Sequence, residues 1–155
     1  IMPKEVRIKE FDLRKNPEVL EEFNTTEWSL SDGEHTGEVS KEYPKKRFIY
    51  VARDEEDAVV GYVVLETNSG VATLDVVIVK SGERGKGIGK LLIRHVIEMA
   101  RHKECHVLKL ETGMYWKSRT FYEKFGFKVR AVLSNYYGNQ EFVLMDLRLT
   151  GADVL

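Results

Sequence analysis

Val76-Val77-Ile78-Val79-Lys80-Ser81-Gly82-Glu83-Arg84-Gly85-Lys86-Gly87-Ile88-Gly89-Lys90 is the stretch that decides how the rest of the chain is read. Its first four residues are apolar and mostly β-branched, the signature of a buried strand. A glycine-rich turn follows. Beyond it Ile88, Leu91, Leu92, Val96, Met99 and Ala100 recur at helical spacing, which predicts a helix within Gly85–Lys103. A helix start presents unpaired backbone N–H groups and a partial positive charge, and together these hold phosphate oxygens. Arg84, Lys86 and Lys90 add positive charge around the turn. Two familiar phosphate patterns fail. Gly-x-x-x-x-Gly-Lys-Ser/Thr would set Arg84 on its first glycine and Leu91 on its hydroxyl. Gly-x-Gly-x-x-Gly would set Lys90 or Leu92 on its last glycine.

Upstream, Val6–Phe11 alternates weakly and is expected to be a first strand. Leu13 to Phe23 has a sparse helical spacing, with Asn16 as N-cap and Pro17 at the first helical position. Residues 24–47 form a long polar connection. Phe48–Arg53 and Val59–Glu66 read as strands, and Asn68-Ser69-Gly70 turns the second back on Ala72–Val79. Downstream come a strand, Val107–Glu111, and a short helix, Ser118–Lys124, stopped at Gly126. Phe127–Ser134 and Glu141–Leu149 are strands around Tyr136-Tyr137-Gly138-Asn139. This order predicts an α+β or α/β sheet covered by helices.

Composition narrows the class. The 155 residues are 43% hydrophobic and 32% charged, the mark of a globular chain. Lys plus Arg number 24 against 25 Asp plus Glu, which argues against a nucleic-acid binder. One cysteine, Cys105, excludes an internal disulfide and suits a reducing cytosol. No apolar run approaches the ~20 residues that span a bilayer. Ile1-Met2-Pro3-Lys4-Glu5 holds no apolar signal core, so a cytoplasmic location without membrane partners is expected. Asp32, Glu34 and His35 are too sparse for a metal site, and no metal is expected.

Arg84-Gly85-Lys86-Gly87-Ile88-Gly89 fits Arg-x-x-Gly-x-Gly and resembles the acetyl-CoA motif of the GCN5-related N-acetyltransferases. Tyr122-Glu123-Lys124-Phe125-Gly126-Phe127 resembles that family's Tyr-x-x-x-Gly-Phe segment. The resemblance implies one domain over residues 1–155, with an acetyl-CoA-binding core at 74–127. It implies an α+β fold: a mixed, mostly antiparallel twisted sheet, flanked by helices and splayed between its fourth and fifth strands. The pantetheine arm of CoA would lie in that gap and pair with Val79 as an added strand does. Arg84, Gly85, Lys86, Gly87, Ile88, Gly89 and Lys90 would surround the pyrophosphate. The N–H of Val77 would point at the thioester carbonyl, as in an oxyanion hole. Tyr122 would stand beside the sulfur as general acid. The base is open between Glu111, which resembles the base of bacterial ribosomal-protein N-acetyltransferases, and Asp75, expected on the same strand face as Val77. The family's frequent Asn is replaced by Tyr115, within Met114-Tyr115-Trp116, aromatics that either line the acyl site or pack.

The same resemblance implies the reaction. Acetyl would pass from acetyl-CoA to a primary amine, and Tyr136 and Tyr137 resemble the pair that lines the peptide groove of N-terminal α-amine acetyltransferases. Residues 24–47, with Trp28, are expected over the acceptor site. An α-amine of pKa ~8 is easier to deprotonate than a lysine at ~10.4, a gap worth ~3 kcal/mol. Rival readings are a polyamine or aminoglycoside-like acceptor, or a CoA-binding sensor without catalysis. A monomer or a homodimer is expected.

Overall fold

The computed structural model describes residues 7, 9–21, 23–27, 30 and 45–150. The expected acceptor residue Trp28, and most of 24–47 with it, lies outside them. The chain divides into two compact units, Ile1–Glu42 and Tyr43–Leu155. In the second, six strands form one sheet: β1 (Lys46–Arg53), β2 (Val59–Asn68), β3 (Val71–Val79), β4 (Val107–Gly113), β5 (Lys128–Leu133) and β6 (Phe142–Arg148). Their spatial order is β1-β2-β3-β4-β6-β5. Only the β3–β4 pairing is parallel. A parallel neighbour needs a crossover, and the glycine loop with helix α1 (Ile88–His102) supplies it. Helix α2 (Lys117–Glu123) joins β4 to β5.

Period-two alternation sets the two faces of the sheet. Val63 and Leu65 of β2, Leu74 of β3, Leu108 and Leu110 of β4 and Val143 and Met145 of β6 enter the core. The apolar stripe of α1, Leu92, Ile93, Val96, Ile97 and Ala100, packs into that core. Each such side chain contributes about 1.5–3 kcal/mol on burial. Leu91 fits the helical period, yet it points to solvent.

Two irregularities place the site. Val64 pairs with Val76 but Leu65 pairs with Leu74, so Asp75 is the extra residue of a β-bulge. The bulge reverses the alternation, and Val77 and Val79 join Leu74 against the core. Asp75 is therefore not on the face of Val77. It points the other way and pairs with Arg47 of β1. The second irregularity is the splay. β3 and β4 pair only from Val71 with Val107 to Thr73 with Lys109, and then part. This is the gap expected between the fourth and fifth strands.

It falls one strand earlier because Val6–Phe11 contributes none among its described residues. Arg7, Lys9, Glu10 and Phe11 are all exposed, and Val6 and Ile8 lie outside the described residues. The helix expected over Leu13–Phe23 is reduced to a 3₁₀ turn at Pro17–Leu20, followed by a π segment at Phe23–Glu27. Asn16 precedes Pro17 as expected but makes no capping bond, and no residue of the turn is buried. A short helix without a packed face has little to stabilise it.

Candidate active site

The free edge of β3 follows from one hydrogen bond. Lys80 N–H donates to the Val60 carbonyl at 2.8 Å. In an antiparallel ladder, bonded and unbonded pairs alternate. Ile78 with Tyr62 is thus a bonded pair, whereas Val77 with Val63 and Val79 with Gly61 are not. The N–H and C=O groups of Val77 and Val79 consequently point towards β4, which has already diverged. The guanidinium of Arg84 donates to the Val79 carbonyl at 3.2 Å. Among the described residues, the Val77 N–H and C=O and the Val79 N–H remain as an unpaired strand edge.

Below that edge lies the glycine loop. Gly85 and Gly87 adopt φ of +78° and +84°, a conformation that favours glycine. A Cβ on either would meet nothing within 4 Å, so open space lies over both. The first helical bond of α1 runs from Leu91 N–H to the Gly87 carbonyl, leaving the N–H groups of Ile88, Gly89 and Lys90 without helical partners. No acidic residue stands in that first turn. Of the three expected cations, Arg84 is on Val79, Lys86 is paired with Glu83 at 2.8 Å, and Lys90 lines the cleft.

The cleft has a volume of about 780 Å³ and runs from Arg84 and Gly87 through Val77 and Leu110 to Phe121 and Tyr122. Tyr122 is 7% exposed, and its ring stands edge-on to Phe121 and Phe127. Burial pushes its phenol up to about 12, so it stays protonated at any physiological pH. The Met114-Tyr115-Trp116 stretch divides. Trp116 lines the cleft, packs on Phe142 and lies so close over Gly113 that a Cβ there would collide. Tyr115, in the place of the family's Asn, is 82% exposed.

A second cavity, of about 330 Å³, opens on the opposite face of the sheet, lined by Thr73, Asp75, Lys109, Glu111, Tyr137 and Leu144. Leu74, Asp75, Leu110 and Glu111 border both cavities, so the two adjoin across the splay. Leu110 is buried and Glu111 is exposed, as their alternation on β4 requires. Glu111 accepts a hydrogen bond from the Tyr136 hydroxyl at 3.2 Å. Desolvation, and then the Glu111 carboxylate, raise the Tyr136 phenol above its usual value. Asp75 is bound to Arg47 at 3.0 Å. Three contacts were not read from the sequence: the Arg47–Asp75 pair, the packing of the Phe142 ring on Tyr136 and Tyr137, and the Thr112–Ser118 hydroxyl pair at 2.6 Å that ties β4 to α2. A charged Asp75 inside an apolar strand was the one visible sign of the bulge.

An unpaired strand edge, an open glycine loop at a helix start and an apolar cleft between them suit a ligand with amides, a pyrophosphate and an acyl thioester. The sequence profile of the acetyltransferase (GNAT) family matches residues 17–127. The chain belongs to this family. GNAT enzymes use acetyl-CoA, and the chain is an N-acetyltransferase of that type. It is similar, at 25% identity over 131 residues, to the [ribosomal protein bS18]-alanine N-acetyltransferase of Haemophilus influenzae. That match spans 84% of this chain and 85% of the relative. An acetyltransferase structure from Bacillus cereus superposes with a TM-score of 0.72 at 19% identity, covering 92% of this chain and 98% of the other. A GNAT acetyltransferase from Elizabethkingia anophelis, solved with acetyl-CoA bound, gives 0.61 at 21% identity over 65% and 75%. The expected family, fold and acyl donor are thus borne out.

Proposed function

We propose that the acceptor is the α-amine of a peptide N-terminus and that it enters from the Glu111 face, opposite the donor. The observation that carries this reading is that Glu111 borders both cavities at the splay, sharing one with Tyr122 and the other with Tyr137. The similarity to a ribosomal-protein alanine N-acetyltransferase supports it.

Each residue then has a role. The free oxygen of Glu111 takes a proton from the incoming ammonium, directly or through one water. An α-amine near pKa ~8 is about 10% neutral at pH 7, so a single carboxylate suffices as base. The Val77 N–H donates to the thioester oxygen as the amine nitrogen bonds to its carbon, a fixed dipole aimed at developing charge. The carbon–sulfur bond breaks and the electron pair leaves with sulfur. Tyr122 O–H faces that sulfur. A phenol at about 12 lies ~3.5 units above a thiol, so complete transfer is uphill by ~5 kcal/mol. Tyr122 therefore stabilises the departing thiolate chiefly as a hydrogen-bond donor. The thiolate and the second amine proton are balanced through solvent.

The test is thiol release from acetyl-CoA with an alanine-led peptide, the same peptide blocked at its N-terminus but carrying a lysine, spermidine and an aminoglycoside. Release with the free N-terminus alone is expected, with mass spectrometry placing acetyl on the first residue. Release on spermidine or the aminoglycoside and none on the peptide overturns the proposal, as does CoA binding without release on any acceptor.

A further inference from the structure

The two tyrosines of the acceptor hairpin are not equivalent. Tyr137 lines the acceptor cavity and is 63% exposed, whereas Tyr136 is absent from the walls of both cavities and turns its hydroxyl onto Glu111 Oε1. The Tyr136 ring stands edge-on to Tyr137 at 4.6 Å and tilts against Phe142 at 5.8 Å. Phe142 is 6% exposed and starts β6 opposite Gly113. The Tyr136 backbone is closed into a turn by Tyr136 N–H to the Gln140 carbonyl and Asn139 N–H to the Tyr136 carbonyl. Ring and backbone are both tied, so the hydroxyl points in a defined direction. The Glu111 side chain, by contrast, is unbranched and exposed, and unanchored it would sample several rotamers.

We propose that Tyr136 is a positioning residue: its hydroxyl holds Glu111 Oε1, so that Oε2 faces the acceptor amine, while Tyr137 alone of the pair meets the peptide. This rests on Glu111 as the base. The phenol is raised by desolvation and by the carboxylate, so it remains a donor through the working pH range. Anchoring one oxygen of a general base fixes the other within reach of the proton it abstracts, the geometric condition for base catalysis.

The experiment compares Tyr136→Phe, Glu111→Gln and the double variant, using acetyl-CoA and the alanine-led peptide from pH 6.5 to 9. Tyr136→Phe keeps the ring contacts and removes only the hydroxyl. It should lower kcat ~10-fold near pH 7, part of the ~10²–10⁴ that a base supplies, with the peptide KM within about twofold. The deficit should shrink towards pH 9, where the amine loses its proton unaided. Combined with Glu111→Gln it should add nothing, because both changes remove one function. Glu111→Asp shortens the reach to the phenol without touching the aromatic turn, and should show the same pH-dependent deficit. A raised peptide KM at unchanged kcat, or losses that multiply in the double variant, overturns the inference and makes Tyr136 a peptide ligand. Full activity in Glu111→Gln is a different failure: it removes the base assignment beneath the inference and leaves the acceptor assignment standing.

Discussion

Tyr122 carries the sharpest consequence of burial at a single residue. Its hydroxyl makes no hydrogen bond among the described residues, so Tyr122→Phe should leave stability near neutral pH almost unchanged. A hydrogen bond to a charged sulfur is worth ~1.5–3 kcal/mol, so kcat should fall ~10- to 10²-fold while the acetyl-CoA KM stays put. Steady-state kinetics read both. The raised phenol also ties stability to alkaline pH. Below 10 the phenol is neutral folded or unfolded, and its contribution is whole. Between 10 and about 12 the unfolded chain releases a proton that the folded chain keeps, so stability falls, by at most ~1.4 kcal/mol per pH unit. Thermal melting should show Tyr122→Phe losing less stability than the parent across that window. Asp75 gives the opposite case. It is half-exposed and paired with Arg47, an arrangement worth ~0–1 kcal/mol. With Glu111 as base, Asp75→Asn should retain most of kcat, and a loss as deep as that of Glu111→Gln would transfer the role to Asp75.

The glycine loop shows what an element adds to its residues. Gly87 caps α1 at positive φ, so Gly87→Val introduces a strained backbone as well as a side chain into the open space proposed for the pyrophosphate. It should lose acetyl-CoA affinity and also ~1–2 kcal/mol of stability. Gly82 is outside the cleft wall, has no positive φ and has open space around it, so Gly82→Ala should keep both. Calorimetric titration with CoA, alongside melting curves, separates the two effects. This loop was legible because its information is local: a strand, a glycine turn and a helical period within the twenty-five consecutive residues from Val76 to Ala100. The Tyr122–Phe127 segment was legible for the same reason. The bulge at Asp75 was not, since a period-two pattern continues smoothly on paper through an extra residue. The Tyr136–Glu111 contact joins residues 25 apart and depends on β6 lying between β4 and β5, an order that hairpin spacing alone leaves open. In Val6–Phe11 the described residues are exposed and outside any strand, because weak alternation of mostly polar residues offers them little to bury.

At the scale of the molecule, one topological event makes the site. A parallel pair flanked by antiparallel ones separates after a few residues, and the gap exposes the strand edge to one cavity and Glu111 to both. The core under α1 holds the two arms of the splay in place. Ile93 of α1 is fully buried in that core, so Ile93→Ala should cost ~2–5 kcal/mol in denaturant unfolding and loosen the cleft as well. The proposed function requires the open edge of β3 to receive the pantetheine arm. Amide hydrogen exchange followed by NMR during titration with CoA tests this directly. Val77 and Val79 should exchange fast in the free protein and become protected when CoA is added, while Ile78, bonded to β2, stays protected throughout. Unchanged exchange at Val77 and Val79 in the CoA-saturated protein would contradict it.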